Sequence, residues 1–210
     1  MSAMASLQIF PPCSAAALPV HTRIHTHVPG SPRRAQVEDF IRSVYRDSYG
    51  ADVRHFSPAL VSLHDAQGDM VAAAGYRAAS QEPLFLERYL DAPIQTRLAK
   101  AGGAVPRRAQ IVEVGHLASR RPGSGKSLIL QLAPLLAGQG FQWVVSTLTE
   151  ELRHLFMRLG IAPLALGMAD PELLGDAASG WGSYYDHHPV VLAGQLDLAL
   201  HALTRRGARA

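Results

Sequence analysis

One segment limits the folds open to this chain more than any other: Ile111 to Gly140, IVEVGHLASRRPGSGKSLILQLAPLLAGQG. Its first part reads as a strand. Ile111, Val112, Val114 and Leu117 are strand formers, and Glu113 is the one carboxylate among them. The run Arg120, Arg121, Pro122, Gly123, Ser124, Gly125, Lys126 cannot continue that strand. From Ser127 to Ala137 the apolar residues Leu128, Leu132, Leu135 and Leu136 recur at helical spacing, and Gly138 and Gly140 end the helix. A glycine-rich turn that opens a helix directs backbone N–H groups outward, and the helix dipole favours an anion there. Phosphate or pyrophosphate is the natural guest.

Two phosphate motifs compete for this turn. The nucleotide P-loop needs Gly-x-x-x-x-Gly-Lys-Ser/Thr, but its first glycine would fall on Arg120. The second pattern, Arg/Gln-x-x-Gly-x-Gly/Ala, resembles the pantetheine-pyrophosphate loop of GNAT acyltransferases. Arg120-x-x-Gly123-x-Gly125 fits it without adjustment, and Ser124, Lys126 and Ser127 complete the predicted anion contact. A basic surface turn with no ligand is the competing reading.

The remaining pattern extends this unit. Residues 1–19 read as a loose leader, 20–204 as one domain and 205–210 as a basic tail. A strand is expected over His21–Val28, then a helix that Ser31 caps and that carries Val37, Phe40, Ile41, Val44 and Tyr45 as a core stripe. Leu60–His64 and Met70–Arg77 form a hairpin about Asp65–Asp69. Leu84–Leu98 reads as helix and Ala109–Ala118 as strand. After the glycine turn come a strand at Phe141–Thr147, a helix at Glu151–Leu159 and a strand at Leu164–Met168. A Gly/Trp/Tyr loop at Gly180–Asp186, a strand from Val190 and an apolar end at Leu196–Leu203 close the order. This order resembles that of GNAT enzymes, which implies an α/β (α+β) fold: a mixed, mostly antiparallel sheet with helices on both faces.

Composition narrows the function. An apolar share of 48% supplies a full core, and a net charge of +3 without a basic block argues against a nucleic-acid partner. The single cysteine, Cys13, excludes an intramolecular disulfide. His21, His25 and His27, and the adjacent His187 and His188, lack the spacing of a metal site, so no metal is expected. The first residues carry no basic region ahead of an apolar run, and no apolar run is long enough to span a bilayer. The expectation is a cytoplasmic protein without stable membrane insertion.

Three segments, GYRAASQEPLFLERYLDAPI, IVEVGHLAS and WGSYYDHHPVV, resemble the thermostable hemolysin family over roughly 35–196. The family is one with a GNAT-like fold, and its name reports a lytic phenotype rather than a mechanism. A more distant resemblance is to acyl-homoserine-lactone synthases, which acylate the amine of S-adenosylmethionine from an acyl carrier protein. Their Glu-Leu-Ser-Arg-Phe strand would fall on Glu113 to Leu117, where Gly115-His116-Leu117 replaces Ser-Arg-Phe. The resemblance implies acyl-CoA or acyl-phosphopantetheine as co-substrate, a small-molecule amine as acceptor and an acyl carrier protein as a partner, and it allows a homodimer.

Acyl transfer to an amine needs a base, a held electrophile and donors for the developing oxyanion. Glu113 is the leading base, a carboxylate in an apolar strand whose burial would raise its pKa. His116 is the alternate base, yet strict alternation puts it on the opposite face from Glu113 unless a strand-end bulge intervenes. Glu87 and Asp91 share a face at i, i+4 if their segment is helical, and with Arg77 could hold the acceptor, or Glu87 could pair with Arg77 as a structural bridge. Trp181, Tyr184 and Tyr185 could line an acyl pocket or simply pack. The tyrosine acid usual in GNAT enzymes would fall at Phe156 and is absent. The leading reading is therefore an N-acyltransferase. A membrane-active hemolysin and a non-catalytic GNAT-like binding module are the alternatives.

Overall fold

The structure, a computed structural model, describes residues 22–100 and 105–207. The predicted leader and part of the predicted tail lie outside the described residues. Seven strands form one sheet in the order β1-β2-β3-β4-β5-β7-β6. They are β1 (Arg23–His27), β2 (Ala59–His64), β3 (Met70–Ala78), β4 (Ile111–Ser119), β5 (Trp143–Leu148), β6 (Leu164–Met168) and β7 (Val190–Gln195). Every neighbouring pair is antiparallel except β4 and β5. The helices are α1 (Arg34–Tyr49), α2 (Ile94–Lys100), α3 (Ser124–Gly138), α4 (Glu150–Arg158) and α5 (Leu196–Gly207). This is the mixed, mostly antiparallel arrangement expected.

The period-two pattern of the strands decides which helix covers which face. Val61, Leu63, Ala74, Val112 and Val114 pack on Leu128, Leu132 and Leu136 of α3 and on Leu196 of α5. On the other face Leu60 and Ala73 receive Val37, Phe40 and Ile41 of α1. Ile111, Val145 and Val191 receive Leu86 and Tyr89 together with Ile94 and Leu98 of α2. Helix α1 ends where Gly50 takes a left-handed φ of 65° and its N–H caps Arg46.

The single helix expected over Leu84–Leu98 is instead a 3-10 turn, Phe85–Tyr89, followed by α2. Pro93 disfavours helix at the residue before it. Glu87 also ends its own turn by accepting from the N–H groups of Leu84 (2.8 Å) and Ile94 (2.9 Å). The aromatic segment expected as a loop belongs to a 3-10 run, Pro171–His187, which glycines kink at Gly175 and Gly182.

Candidate active site

The parallel pair β4–β5 is short. Ile111, Val112 and Glu113 pair with Trp143, Val144 and Val145, and then the strands part. Strand β4 stays with β3 as far as Ser119, and β5 stays with β7 as far as Leu148. The sheet therefore splays beyond Glu113. On the α1 side the splay opens into a cleft of about 470 Å³ whose floor is Glu113, Gly115, His116 and Thr147.

Glu113 stands 6% exposed on this floor. Its carboxylate accepts from two successive amides of the 3-10 turn, Phe85 (2.7 Å) and Leu86 (3.0 Å), and the Arg77 Nε lies 3.4 Å away. Burial pushes its pKa up, against the opposing pull of Arg77 and the two amides. A carboxylate so placed both anchors the turn and is poised to hold a proton nearer neutrality than a surface glutamate.

His116 reaches the same face through a β-bulge. The β3–β4 register shifts between Ala73↔Ala118 and Gly75↔Gly115, and His116 takes a left-handed φ of 53°. Alternation is thereby reset: Ala118 packs with α1, while Leu117 turns to the α3 side. The His116 ring sits 5.5 Å from Phe56 and 6.4 Å from Tyr45 between centroids, with Nδ1 3.5 Å from the Ser57 hydroxyl. Burial, and then Arg77, draw its pKa down to about 4, so the imidazole is neutral at ordinary pH. Gly75 makes this contact possible. A Cβ there would come within 2.8 Å of Ser57 Oγ and 3.0 Å of His116 Nδ1.

The walls are aromatic. Tyr45 and Tyr184 stack with centroids 6.3 Å apart, Trp181 stands 5.3 Å from Tyr184 and 5.9 Å from Phe85, and the Tyr89 and Tyr185 hydroxyls lie 2.6 Å apart. Burial raises the pKa of all four of Tyr45, Tyr89, Tyr184 and Tyr185, so each phenol stays protonated and able to donate. The Thr147 hydroxyl, on the β5 side of the splay, is buried with no hydrogen-bond partner among the described residues.

Across the sheet lies a smaller, almost wholly apolar cavity of about 80 Å³ between β4, β5, α3 and α4, lined by residues including Ile129, Leu132, Leu148 and Phe156. Val114 and Leu117 line both spaces, so the splay is the wall they share.

The cleft thus gathers Glu113, His116, Arg77, Trp181, Tyr184 and Tyr185. It does not gather Glu87 or Asp91. Glu87 pairs with Arg108 (2.6 Å) rather than with Arg77, and Asp91 pairs with Arg97 (3.1 Å). Because the segment is not one helix, the two share no helical face. The turn Arg120–Ser127 also stands apart from the cleft walls. Gly123 takes φ 83° at the N-cap of α3. Ser124 N–H bonds Arg121 and Ser127 N–H bonds Gly123, which leaves the Gly125 and Lys126 amides of the first turn outward. Arg120 lies over Phe40 and donates to Ser43, Arg121 is held by Asp65 and Asp69, and the Ser124 hydroxyl donates inward to Val71.

Sequence reasoning gave no place in the site to Tyr45, which it read as core, or to Tyr49, Phe85, Arg88, Tyr89 and Thr147, all on the cleft. A signal existed for two of them. Tyr45 and Tyr49 fall at i, i+4, and an aromatic pair at that spacing marks one helical face.

The thermostable hemolysin family model matches residues 27–200. No curated protein matches the chain by sequence. Among solved structures, the chain resembles the AHL synthase LasI at 14% identity and a TM-score of 0.57, over 87% of this chain and 95% of that one. It resembles BjaI, a CoA-dependent acyl-homoserine lactone synthase solved with SAM and isopentyl-CoA, at 14% identity and a TM-score of 0.57, over 88% and 89%. It also resembles FeeM, an N-acyl amino acid synthase from uncultured soil microbes, at 12% identity and a TM-score of 0.58, over 85% and 93%. At such identities the likeness establishes a shared fold.

Proposed function

The chain belongs to the thermostable hemolysin family, and from that premise we propose that residues 20–204 form a GNAT-like N-acyltransferase domain. It moves an acyl group from acyl-CoA, or from the phosphopantetheine of an acyl carrier protein, to a small amine. The observation that carries this reading is the parting of β4 from β5 directly after Glu113 and Val145. Around that gap lie a buried carboxylate, a neutral imidazole and a hydroxyl unpartnered among the described residues, with an apolar cavity behind it. LasI, BjaI and FeeM, synthases of acyl-homoserine lactones and of N-acyl amino acids, support the same class.

In this reading the amine enters the aromatic cleft and attacks the thioester carbonyl at the gap. The N–C bond forms, the C–S bond breaks, and the donor thiol leaves with a proton. Glu113 or His116 receives the proton the amine gives up. The Thr147 hydroxyl, together with backbone groups freed by the splay, is placed to donate to the oxyanion. The acyl tail lies toward the apolar cavity. The outward Gly125 and Lys126 amides and the Lys126 ammonium meet the donor's phosphates, Gly123 and Ser127 shaping the turn and Arg120 bracing it against α1. Free-thiol release from short-, medium- and long-chain acyl-CoA and from acyl carrier protein, with and without a panel of primary amines, tests the proposal. Amine-dependent thiol release with an N-acyl product in the mass spectrum is expected. No amine-dependent release from any donor would overturn it, as would unchanged donor affinity in a folded variant carrying bulky residues at Gly123 and Gly125.

A further inference from the structure

Most charges on the cleft wall are matched within the chain. Arg54 meets Asp52 at 2.7 Å, and Arg77 meets Glu113 and Glu82. Arg88 differs. It lines the cleft from the 3-10 turn Phe85–Tyr89, is exposed to solvent, and makes no ion pair and no hydrogen bond to another side chain or carbonyl among the described residues. Its guanidinium carbon instead lies 5.0 Å from the centroid of the Phe85 ring. This cation–π contact uses none of the five N–H donors, so the fork is free to bind. Asp176 of the 3-10 run Pro171–His187 also lines the cleft and is likewise in no ion pair among the described residues.

The separation between this free cation and the floor of the cleft is governed by one short element. The Phe85 amide is bonded to the Glu113 carboxylate, and three residues make one turn of a 3-10 helix, which sets Arg88 above Phe85. The turn that carries Arg88 is therefore tied directly to Glu113. A planar fork prefers a carboxylate, which it can bind through two parallel hydrogen bonds. Building on the acyltransferase reading, we propose that the acceptor is an amino acid. Arg88 holds its carboxylate while its nitrogen faces Glu113 and His116, and Asp176 meets the ammonium of the zwitterion as it enters. The ammonium first gives one proton to Glu113 or His116 and through it to solvent; the freed amine then bonds the acyl carbon as the C–S bond breaks, its second proton leaves with the donor thiol, and the product leaves as an N-acyl amino acid that keeps its carboxylate.

The test compares amino acids with their decarboxylated amines as acceptors, in the wild type and in Arg88→Gln, and measures by calorimetry the binding of an N-dodecanoyl amino acid against N-dodecanoyl alkylamine. The wild type is expected to prefer the amino acid. Arg88→Gln is expected to lose roughly tenfold to a hundredfold in kcat/KM on the amino acid, the scale of a lost charge-assisted contact, and far less on the decarboxylated amine. Transfer to the decarboxylated amine with equal or better efficiency would overturn this inference and leave the acyltransferase reading standing. Arg88-dependent binding of the N-acyl amino acid without any thiol release would overturn the acyltransferase reading and leave the carboxylate site standing. Neither binding nor transfer would overturn both.

Discussion

Glu113 carries two duties that pull on its charge in opposite directions. As an anchor it should be ionised, because two amides and Arg77 face it. As a base it should hold a proton during the reaction, and burial favours that form. Glu113→Gln separates the two. Glutamine keeps one carbonyl oxygen to accept an amide, but its NH₂ group meets the second amide donor to donor. The expected cost in stability is about 1–3 kcal/mol, the penalty for one unsatisfied buried group, while loss of a general base costs about 10²–10⁴-fold in rate. The acid limb of kcat/KM distinguishes the two candidate bases. If Glu113 is the base, the limb falls above the ordinary glutamate range and vanishes in the glutamine variant. A limb near pH 4 that survives Glu113→Gln would assign the proton to His116 instead.

At the scale of elements, the site is assembled by three small irregularities in a regular frame: the β4 bulge, the 3-10 turn over Glu113 and the kinked run Pro171–His187. The frame was legible in the sequence because strand alternation and helical spacing repeat locally, and β2, β3, β6 and α3 fall close to where those periods put them. The irregularities were not. At Gly115-His116 a bulge could be named only as an alternative to strict alternation, because the register shift that decides it is visible only against β3. The Leu84–Leu98 segment has a helical pattern, but Glu87 spends its carboxylate on Leu84, Ile94 and Arg108, partners that only the folded chain brings together. Tyr45 was read as core, and it is buried, yet its ring also walls the cleft. The third irregularity depends on Gly182, whose φ is 52° and where a Cβ would fall 2.0 Å from the Tyr49 carbonyl oxygen. Backbone cannot yield as a flexible side chain can, so Gly182→Ala should unseat the run that carries Trp181, Tyr184 and Tyr185. The expected readouts are a stability loss of about 1–3 kcal/mol and a red shift of Trp181 fluorescence, measured in a Trp143→Phe background. An unshifted spectrum with unchanged stability would show that the run does not depend on this close approach.

For the whole molecule, the histidines decide how the fold responds to mild acid. His27 is buried at the end of β1, bonded to the Ser62 hydroxyl (2.8 Å), and its pKa is lowered by burial first and then by His25, His64, Arg33 and Arg34. His116 is lowered by burial and Arg77 to about 4. In both the fold disfavours the protonated ring, whereas the unfolded chain takes up a proton near the ordinary histidine value of about 6.5. The stability each neutral ring contributes is therefore present above about pH 6.5 and is lost as the pH falls from there toward the folded-state pKa. For His116 the loss approaches about 1.4 kcal/mol per pH unit down to about pH 4. Glu113, whose pKa is raised, works the other way. Its neutral form is favoured by the fold, so its protonation offsets part of the loss at the lower end of the same range. Glu87, lowered because Arg108 and two amides outweigh its burial, adds to the loss only below the ordinary carboxylate range. Urea unfolding at several pH values between neutral and mildly acidic should show a midpoint that drops steadily below pH 6.5. The slope should be reduced in His27→Asn, which keeps a polar partner for Ser62 but cannot take up the proton. A midpoint that holds constant or rises across that range, or an unchanged slope in the variant, would mean that the buried imidazoles do not limit the acid stability of this fold.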